Sequence, residues 1–161
     1  MAKYVSEKIR KRSGSRLAGV QATYMAAFSG LSVDEVIEDF KKGEIGRYAI
    51  EEDSLKGEQV VELEEIDKAY FENLVRGVLG KKEELEASLR HYLKEASAYD
   101  HMNATMQALL LCAVYELGYT SNVDTKILIQ EYVDLAYAFF NKNEPKMVNA
   151  LLDQIAKNVR I

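Results

Sequence analysis

The residues best suited to chemistry stand near the start of the chain, in Arg10-Lys11-Arg12-Ser13-Gly14-Ser15-Arg16. Arginine offers a planar fork of donors to phosphate oxygens and stacks on exposed bases, which suits single-stranded RNA. Gly14 would keep such a segment adaptable. A helix beginning nearby would add backbone N–H groups and a positive dipole end. Residues 1–16 hold six basic groups against one acid, Glu7, a net charge of +5. A merely solubilising basic terminus would have the same composition. Gln21 and Tyr24, just beyond Arg16, favour the RNA reading by supplying an amide and an aromatic platform at the edge of the same surface. Tyr24 also fits a half-buried core tyrosine, and the two roles can coexist.

Little else in the chain points to catalysis. His91 and His101 are ten residues apart, not the i, i+4 pair of a helical metal site, and no H-E-x-x-H motif occurs. Cys112 lies inside Leu109-Leu110-Leu111-Cys112-Ala113-Val114, where burial as a small apolar residue is expected and a thiolate would be destabilised. Gly77-Val78-Leu79-Gly80-Lys81-Lys82 fails as a phosphate loop: its glycines are too close, and Lys82 stands where Ser or Thr must meet magnesium. Adjacent acids such as Glu64-Glu65 and Glu83-Glu84 do not face one another on a helix. The expectation is a non-enzyme with no cofactor and no metal.

The elements that must position the basic segment are helical. The chain has 161 residues, 48% hydrophobic and 29% charged, which fits one folded domain and is too apolar for general disorder. A single cysteine excludes an intramolecular disulfide. No run approaches the roughly 20 apolar residues of a membrane helix, so a soluble, cytoplasmic protein is expected. Apolar residues recur at three- and four-residue steps nearly throughout, and the one proline is Pro145. The spacing predicts about seven helices in an all-α bundle. The first is expected over 17–28, capped by Ser13 or Ser15. A second follows Ser32, where Ser32 and Glu35 have capping-box spacing. Others are expected from Leu63 to Gly80, over 82–93, over 103–117, behind Asp124, and from Pro145 as a first helical residue. The helix over 103–117 is apolar on nearly every side, which places it mid-bundle. Residues 41–62 break the pattern and read as a solvated loop, with strand character at Tyr48 to Ile50 and Val60-Val61 too short to define a sheet. The organisation expected is a basic arm over 1–16 on a single helical domain over 17–161. That domain carries 15 basic and 25 acidic residues, a net charge of −10, and would repel RNA away from the arm.

Four motifs in order resemble the NusB family of transcription antitermination factors. The family's first helix reads roughly R-x-x-A-R-x-x-A-V-Q-x-L-Y, and Arg12, Arg16, Val20, Gln21 and Tyr24 stand in those places. Ala113-Val114-Tyr115-Glu116-Leu117 is similar to its A-x-Y-E-L helix end. Residues 123–139, with Glu131 and Leu135-Ala136, are similar to its sixth helix. Met147-Val148-Asn149-Ala150-Leu151-Leu152-Asp153 is close to F-V-N-G-V-L-D. The resemblance implies two packed helical halves that bind a short boxA RNA with NusE, a small-subunit ribosomal protein. It further implies that the complex joins RNA polymerase during antitermination and ribosomal RNA synthesis. By the same resemblance Arg12 and Arg16 would contact phosphates, and Gln21 and Tyr24 would lie at or beside the RNA. Arg10 and Lys11 would replace charge lost at Ser13 and Gly14. Tyr24 and the face around Glu116 would be candidates for the protein partner's surface. The chain departs from the family at Met106, Gln107 and Leu111, where charged residues near the RNA and NusE surface are common, at Ala150, and in the longer acidic insertion. Two other readings stay open: a helical protein-binding module without RNA affinity, or the accessory domain of an RNA methyltransferase.

Overall fold

The computed structural model describes residues 7–42, 48–53, 57–62, 66–95 and 97–160. In chain order these form α1 (Glu7–Phe28), α2 (Val33–Lys41), β1 (Tyr48–Asp53), β2 (Gly57–Glu62), α3 (Lys68–Gly80), α4 (Lys82–Tyr92), α5 (Ser97–Asp100), α6 (Ala104–Tyr119), α7 (Thr125–Phe139) and α8 (Asn143–Val159). The protein is all-α apart from one hairpin among the described residues.

Local chemistry sets several helix starts. Ser32 accepts the Glu35 N–H at 3.5 Å, Asn103 the Thr105 N–H at 2.8 Å and Asp124 the Lys126 N–H at 3.3 Å, each side chain satisfying a donor the first turn leaves unpaired. Between α1 and α2 the chain reverses at Gly30, whose φ of 73° lies in the left-handed region that costs a side chain energy.

Two apolar clusters make the core. The smaller joins Ala18 and Ala22 of α1, Val36, Ile37 and Phe40 of α2, and Phe71 and Val75 of α3. The larger is built on α6 and gathers Val20, Leu74, Leu89, Leu128, Leu152 and Ile155 from five other helices. Leu109, Leu110 and Leu111 are fully buried there, each contributing about 1.5–3 kcal/mol of transfer free energy. The two clusters are the two helical halves, and α1 and α3 contribute to both.

Several expectations give way. Helix α1 begins at Glu7, ten residues before Leu17, so most of the basic segment is helical and Ser13 and Ser15 are not caps. Gly14 lowers the intrinsic helix propensity by about 1 kcal/mol, and tertiary bonds of the flanking serines offset it. Ser15 Oγ donates to the Lys11 carbonyl at 2.6 Å and accepts the Asp67 N–H at 2.8 Å, while Ser13 Oγ donates to Glu131 at 2.6 Å. The expected 41–62 loop contains instead the antiparallel pair β1–β2, with Ile50 opposite Val60 and Tyr48 opposite Glu62. Ladder bonds between the two β-branched patches extend both strands beyond what either patch specifies alone. Helix α3 starts behind Asp67, which accepts the Tyr70 N–H at 3.1 Å; Leu63 lies outside the described residues. Pro145 is the third residue of α8 rather than the first, and α6 runs past Gly118 to Tyr119. The four-residue α5 is an additional turn, too short for periodicity to reveal.

Candidate nucleic-acid interface

The basic segment supplies two kinds of arginine. Arg12 and Arg16 lie one turn apart on α1, and both guanidiniums sit over the Tyr70 ring of α3, 5.3 and 5.2 Å from its centroid. Beyond that shared ring their surroundings diverge.

Arg16 is 3% exposed and hydrogen-bonded inside the protein. Its Nε donates to Glu116 at 2.9 Å, one terminal nitrogen to Glu131 at 3.2 Å, and the other to the Tyr70 hydroxyl at 2.8 Å. The Tyr70 and Tyr132 hydroxyls both donate to Glu116. One buried network therefore ties α1, α3, α6 and α7 together. Burial pushes the Glu116 carboxyl up, against the downward pull of the Arg16 guanidinium and the Tyr132 hydroxyl. Burial, followed by the Glu116 charge, holds Tyr132 well above its ordinary range, so it stays a donor. The structure therefore places Arg16 inside the fold, each guanidinium nitrogen donating to an internal acceptor, and not on an open face where phosphate is expected. Glu116 likewise presents no partner surface, being 1% exposed. The signal for Arg16 was its helical position: Arg16, Val20 and Thr23 share the inner stripe of α1, and all are buried. Its acidic partners stand 100 and 115 residues away, where no local pattern reaches.

Arg12 is the opposite case. It is half-buried, makes no hydrogen bond to any described residue, and its Nε is shielded from solvent without a partner. It lines a cleft of about 570 Å³ between α3 and the C-terminal half of α6, with Tyr70, Asn73, Tyr115, Tyr119 and Asn122. Of the remaining expected site residues, Arg10 is carried by α1 with its side chain outside what is described, and Lys11 is half-buried. Gln21 is half-buried and Tyr24 is 38% exposed. At roughly 100° per residue, Gln21 lies about 180° and Tyr24 about 120° around α1 from Arg12, so the structure does not gather them with Arg12 on one face.

The α6 positions expected near a binding surface are internal. Met106 is 3%, Gln107 9% and Leu111 0% exposed. The Gln107 amide donates to the Tyr99 carbonyl of α5 at 2.8 Å, so the turn that periodicity did not show covers this face. Among the described residues no group of three or more His, Cys, Asp or Glu could hold a metal ion, and no described helix is long and apolar enough to cross a membrane.

The family model described as "NusB family" matches residues 16–157. The transcription antitermination protein NusB of Caulobacter vibrioides is 35% identical over 153 residues, covering 95% of this chain and 97% of that protein. Its namesake in Sphingopyxis alaskensis is 34% identical over 156 residues, covering 97% and 99%. Among solved structures, NusB of T. maritima superposes with a TM-score of 0.71 at 20% identity over 91% of this chain and 90% of that one. A structure of antitermination factors NusB and NusE in complex with dsRNA gives a TM-score of 0.72 at 18% identity, covering 93% and 98%. With α1 carrying the arginine motif, α6 the Tyr-Glu-Leu end, and both relatives matched along nearly their whole length, the chain belongs to the NusB family.

Proposed function

We propose that this chain is a non-catalytic transcription antitermination factor that binds a boxA-type single-stranded RNA together with ribosomal protein NusE and joins the RNA polymerase antitermination complex. The observation that carries the reading is Arg12: a guanidinium stacked on Tyr70, with no hydrogen bond to a described residue, on the helix that also bears Arg10 and Lys11. A planar donor fork left without an acceptor at the rim of a cleft is an anion contact awaiting its anion. The relatives add the partner: NusB with NusE and dsRNA in one solved complex, and antitermination in the named relatives. Arg10, Lys11 and Arg12 supply the phosphate contacts in this reading. Gln21 and Tyr24 belong to a second surface on the other side of α1. Arg16 holds the helix in place.

The test is fluorescence anisotropy of a labelled boxA-like RNA at two salt concentrations, with and without NusE, for the parent and for Arg12→Glu. Three neutralised phosphates on a single strand give a slope of log affinity against log salt of about −2. Binding that NusE strengthens and Arg12→Glu weakens establishes the reading. By linkage, RNA must then tighten NusE binding by the same factor. A parent protein that binds no RNA in either setting leaves the fold to protein contacts alone, a reading that the net charge of −10 on residues 17–161 would favour for a basic partner.

A further inference from the structure

The cleft beside Arg12 has a construction that phosphate contacts along the outside of α1 would not need. Its volume of about 570 Å³ falls within the roughly 300–1,000 Å³ of small-ligand sites. Its aromatic wall is fixed in place. Tyr115 and Tyr119 stack with centroids 5.1 Å apart, the Tyr119 hydroxyl donates to Glu84 at 2.9 Å, and the Lys81 ammonium lies 4.7 Å from the Tyr119 centroid. Tyr119 is nevertheless 47% exposed. Tyr115 packs so closely on α3 that a Cβ at Gly77 would meet its ring at 2.2 Å. Asn73 and Asn122 present exposed side-chain amides that hydrogen-bond to no described residue.

The charges around the cleft are satisfied except at one point. Glu116 accepts from Arg16, Tyr70 and Tyr132, and Arg76 is paired with Glu72 and Asp34 at 2.8 Å each. Among the described residues lining the cleft, Arg12 is the cation without an acid. Its Nε–H is shielded and has no hydrogen-bond partner, which leaves the guanidinium at the cleft without an acceptor in the protein.

We propose that this cleft is a nucleotide subsite: one nucleotide of the bound RNA leaves the arm at Arg12 and enters the space between α3 and α6. Its phosphate accepts from Arg12, its base or ribose lies against the Tyr115–Tyr119 wall, and the Asn73 and Asn122 amides meet its polar edges. Aromatic walls accept any base, because every base has a π-face, while amides can discriminate among base edges. The inference rests on the RNA-binding reading above and adds the direction of the strand: inward over Tyr70, towards the end of α6.

The experiment fills the cleft without touching Arg12 or the core. Asn73→Trp and Asn122→Trp, each confirmed folded by thermal melting, are titrated with the labelled RNA beside the parent. In parallel, the unsubstituted 15N-labelled protein is titrated with the same RNA, following the Arg12 Nε–H and the Asn73 and Asn122 side-chain amides. The subsite requires each Trp variant to bind at least about tenfold more weakly. It also requires a salt slope shallower by about 0.7, the signature of one lost phosphate contact. All three resonances must shift with RNA. If the parent binds RNA but the variants match it within about twofold and the three resonances stay still, the cleft is not on the RNA path. If NusE rather than RNA moves them, the cleft belongs to the protein partner and the nucleotide subsite is refuted. Absence of RNA binding by the parent would overturn the functional reading first, and this inference with it.

Discussion

Replacing Arg16 by methionine tests whether this arginine serves the fold. The substitution keeps much of the apolar stem but removes the donors that reach Glu116 at 2.9 Å, Glu131 at 3.2 Å and Tyr70 at 2.8 Å. What remains is a Glu116 carboxylate, 1% exposed, without its counter-charge. Removing one partner of a buried ion pair costs about 3–5 kcal/mol, a large share of the roughly 5–15 kcal/mol that holds a domain folded. A domain of this size loses roughly 2–4 °C of melting temperature per kcal/mol, so a fall of about 6–20 °C is expected. Urea unfolding followed by far-UV circular dichroism measures the loss directly. Acidity supplies a second arm. Burial already displaces the Glu116 carboxyl upward against the pull of Arg16, and without Arg16 it rises further. A carboxyl raised in the folded state binds its proton more tightly there than in the unfolded chain. Stability therefore increases as pH falls through the window between the raised value and the ordinary one. The deficit of the variant relative to the parent should accordingly narrow as pH falls from neutral towards the ordinary carboxylate range. Adding Glu116→Gln should recover part of it, since the stranded charge is gone. A deficit under about 1 kcal/mol at neutral pH would refute the claim that Arg16 is structural, and a deficit independent of pH would refute the role given to Glu116.

Arg160 donates from its guanidinium to the carbonyls of Glu116, Leu117, Thr120 and Val123, closing the end of α6 and its connection to α7. Arg160→Ala should lower stability by about 2 kcal/mol, read as a shift in the urea midpoint at unchanged m. Gly80 and Gly77, three residues apart on α3, should respond in opposite senses. A Cβ at Gly80 meets nothing within 4 Å, so Gly80→Ala should add about 0.5–1 kcal/mol. Gly77→Ala must displace the Tyr115 ring and should destabilise, with weaker RNA binding if the cleft wall moves; both are read by melting temperature and anisotropy. Cys112 is 0% exposed and burial pushes its thiol up to about 12. Its reaction with a disulfide reagent near neutral pH should therefore follow the rate of unfolding, and rapid labelling of the native protein would contradict the packing around α6.

The helices were legible wherever a cap and a stripe coincide. Ser32 with Glu35 and Asp124 each bound a first-turn donor as their types and positions required, and the all-apolar run at 109–114 had only the centre of a bundle to occupy. The start of α1 was not legible, because Ser13, Gly14 and Ser15 are the residue types that locally stop a helix. What keeps the helix going is Ser15 against Asp67 and Ser13 against Glu131, contacts made only after the bundle closes. The buried stripe of α1 is hard to read for a related reason. Its buried residues include Ser15, Arg16, Ala18, Ala22 and Thr23, small or polar side chains that hydropathy discounts. The hairpin was half visible, since each strand shows a β-branched or aromatic patch but only their pairing makes either one a strand. At the candidate site charge alone could not tell an arginine buried among internal acids from one left without an acceptor.

Tyr70 makes that distinction physical. Its ring carries Arg12 and Arg16 at nearly equal distances, 5.3 and 5.2 Å, so their separate fates do not come from the ring. They come from which acids the other helices deliver. Glu116 of α6 and Glu131 of α7 converge on Arg16, and the Tyr70 hydroxyl completes that network while its ring face supports Arg12. The internal network thereby fixes the platform on which Arg12 lies, and Arg12 retains free donors because the two acids are already taken. Tyr70→Phe tests this division of labour. The ring and its cation–π contacts remain while the hydroxyl's bonds to Arg16 and Glu116 are lost. Stability should fall by about 1–3 kcal/mol, the cost of leaving buried polar groups short of a partner, while RNA affinity of the folded protein should change less than about threefold, because the ring itself is unchanged. Tyr70→Leu removes the platform and should weaken RNA binding well beyond what Tyr70→Phe does. Equal RNA affinity for Tyr70→Leu and Tyr70→Phe would show that Arg12 needs no platform, and that its place at the cleft is set by α1 alone.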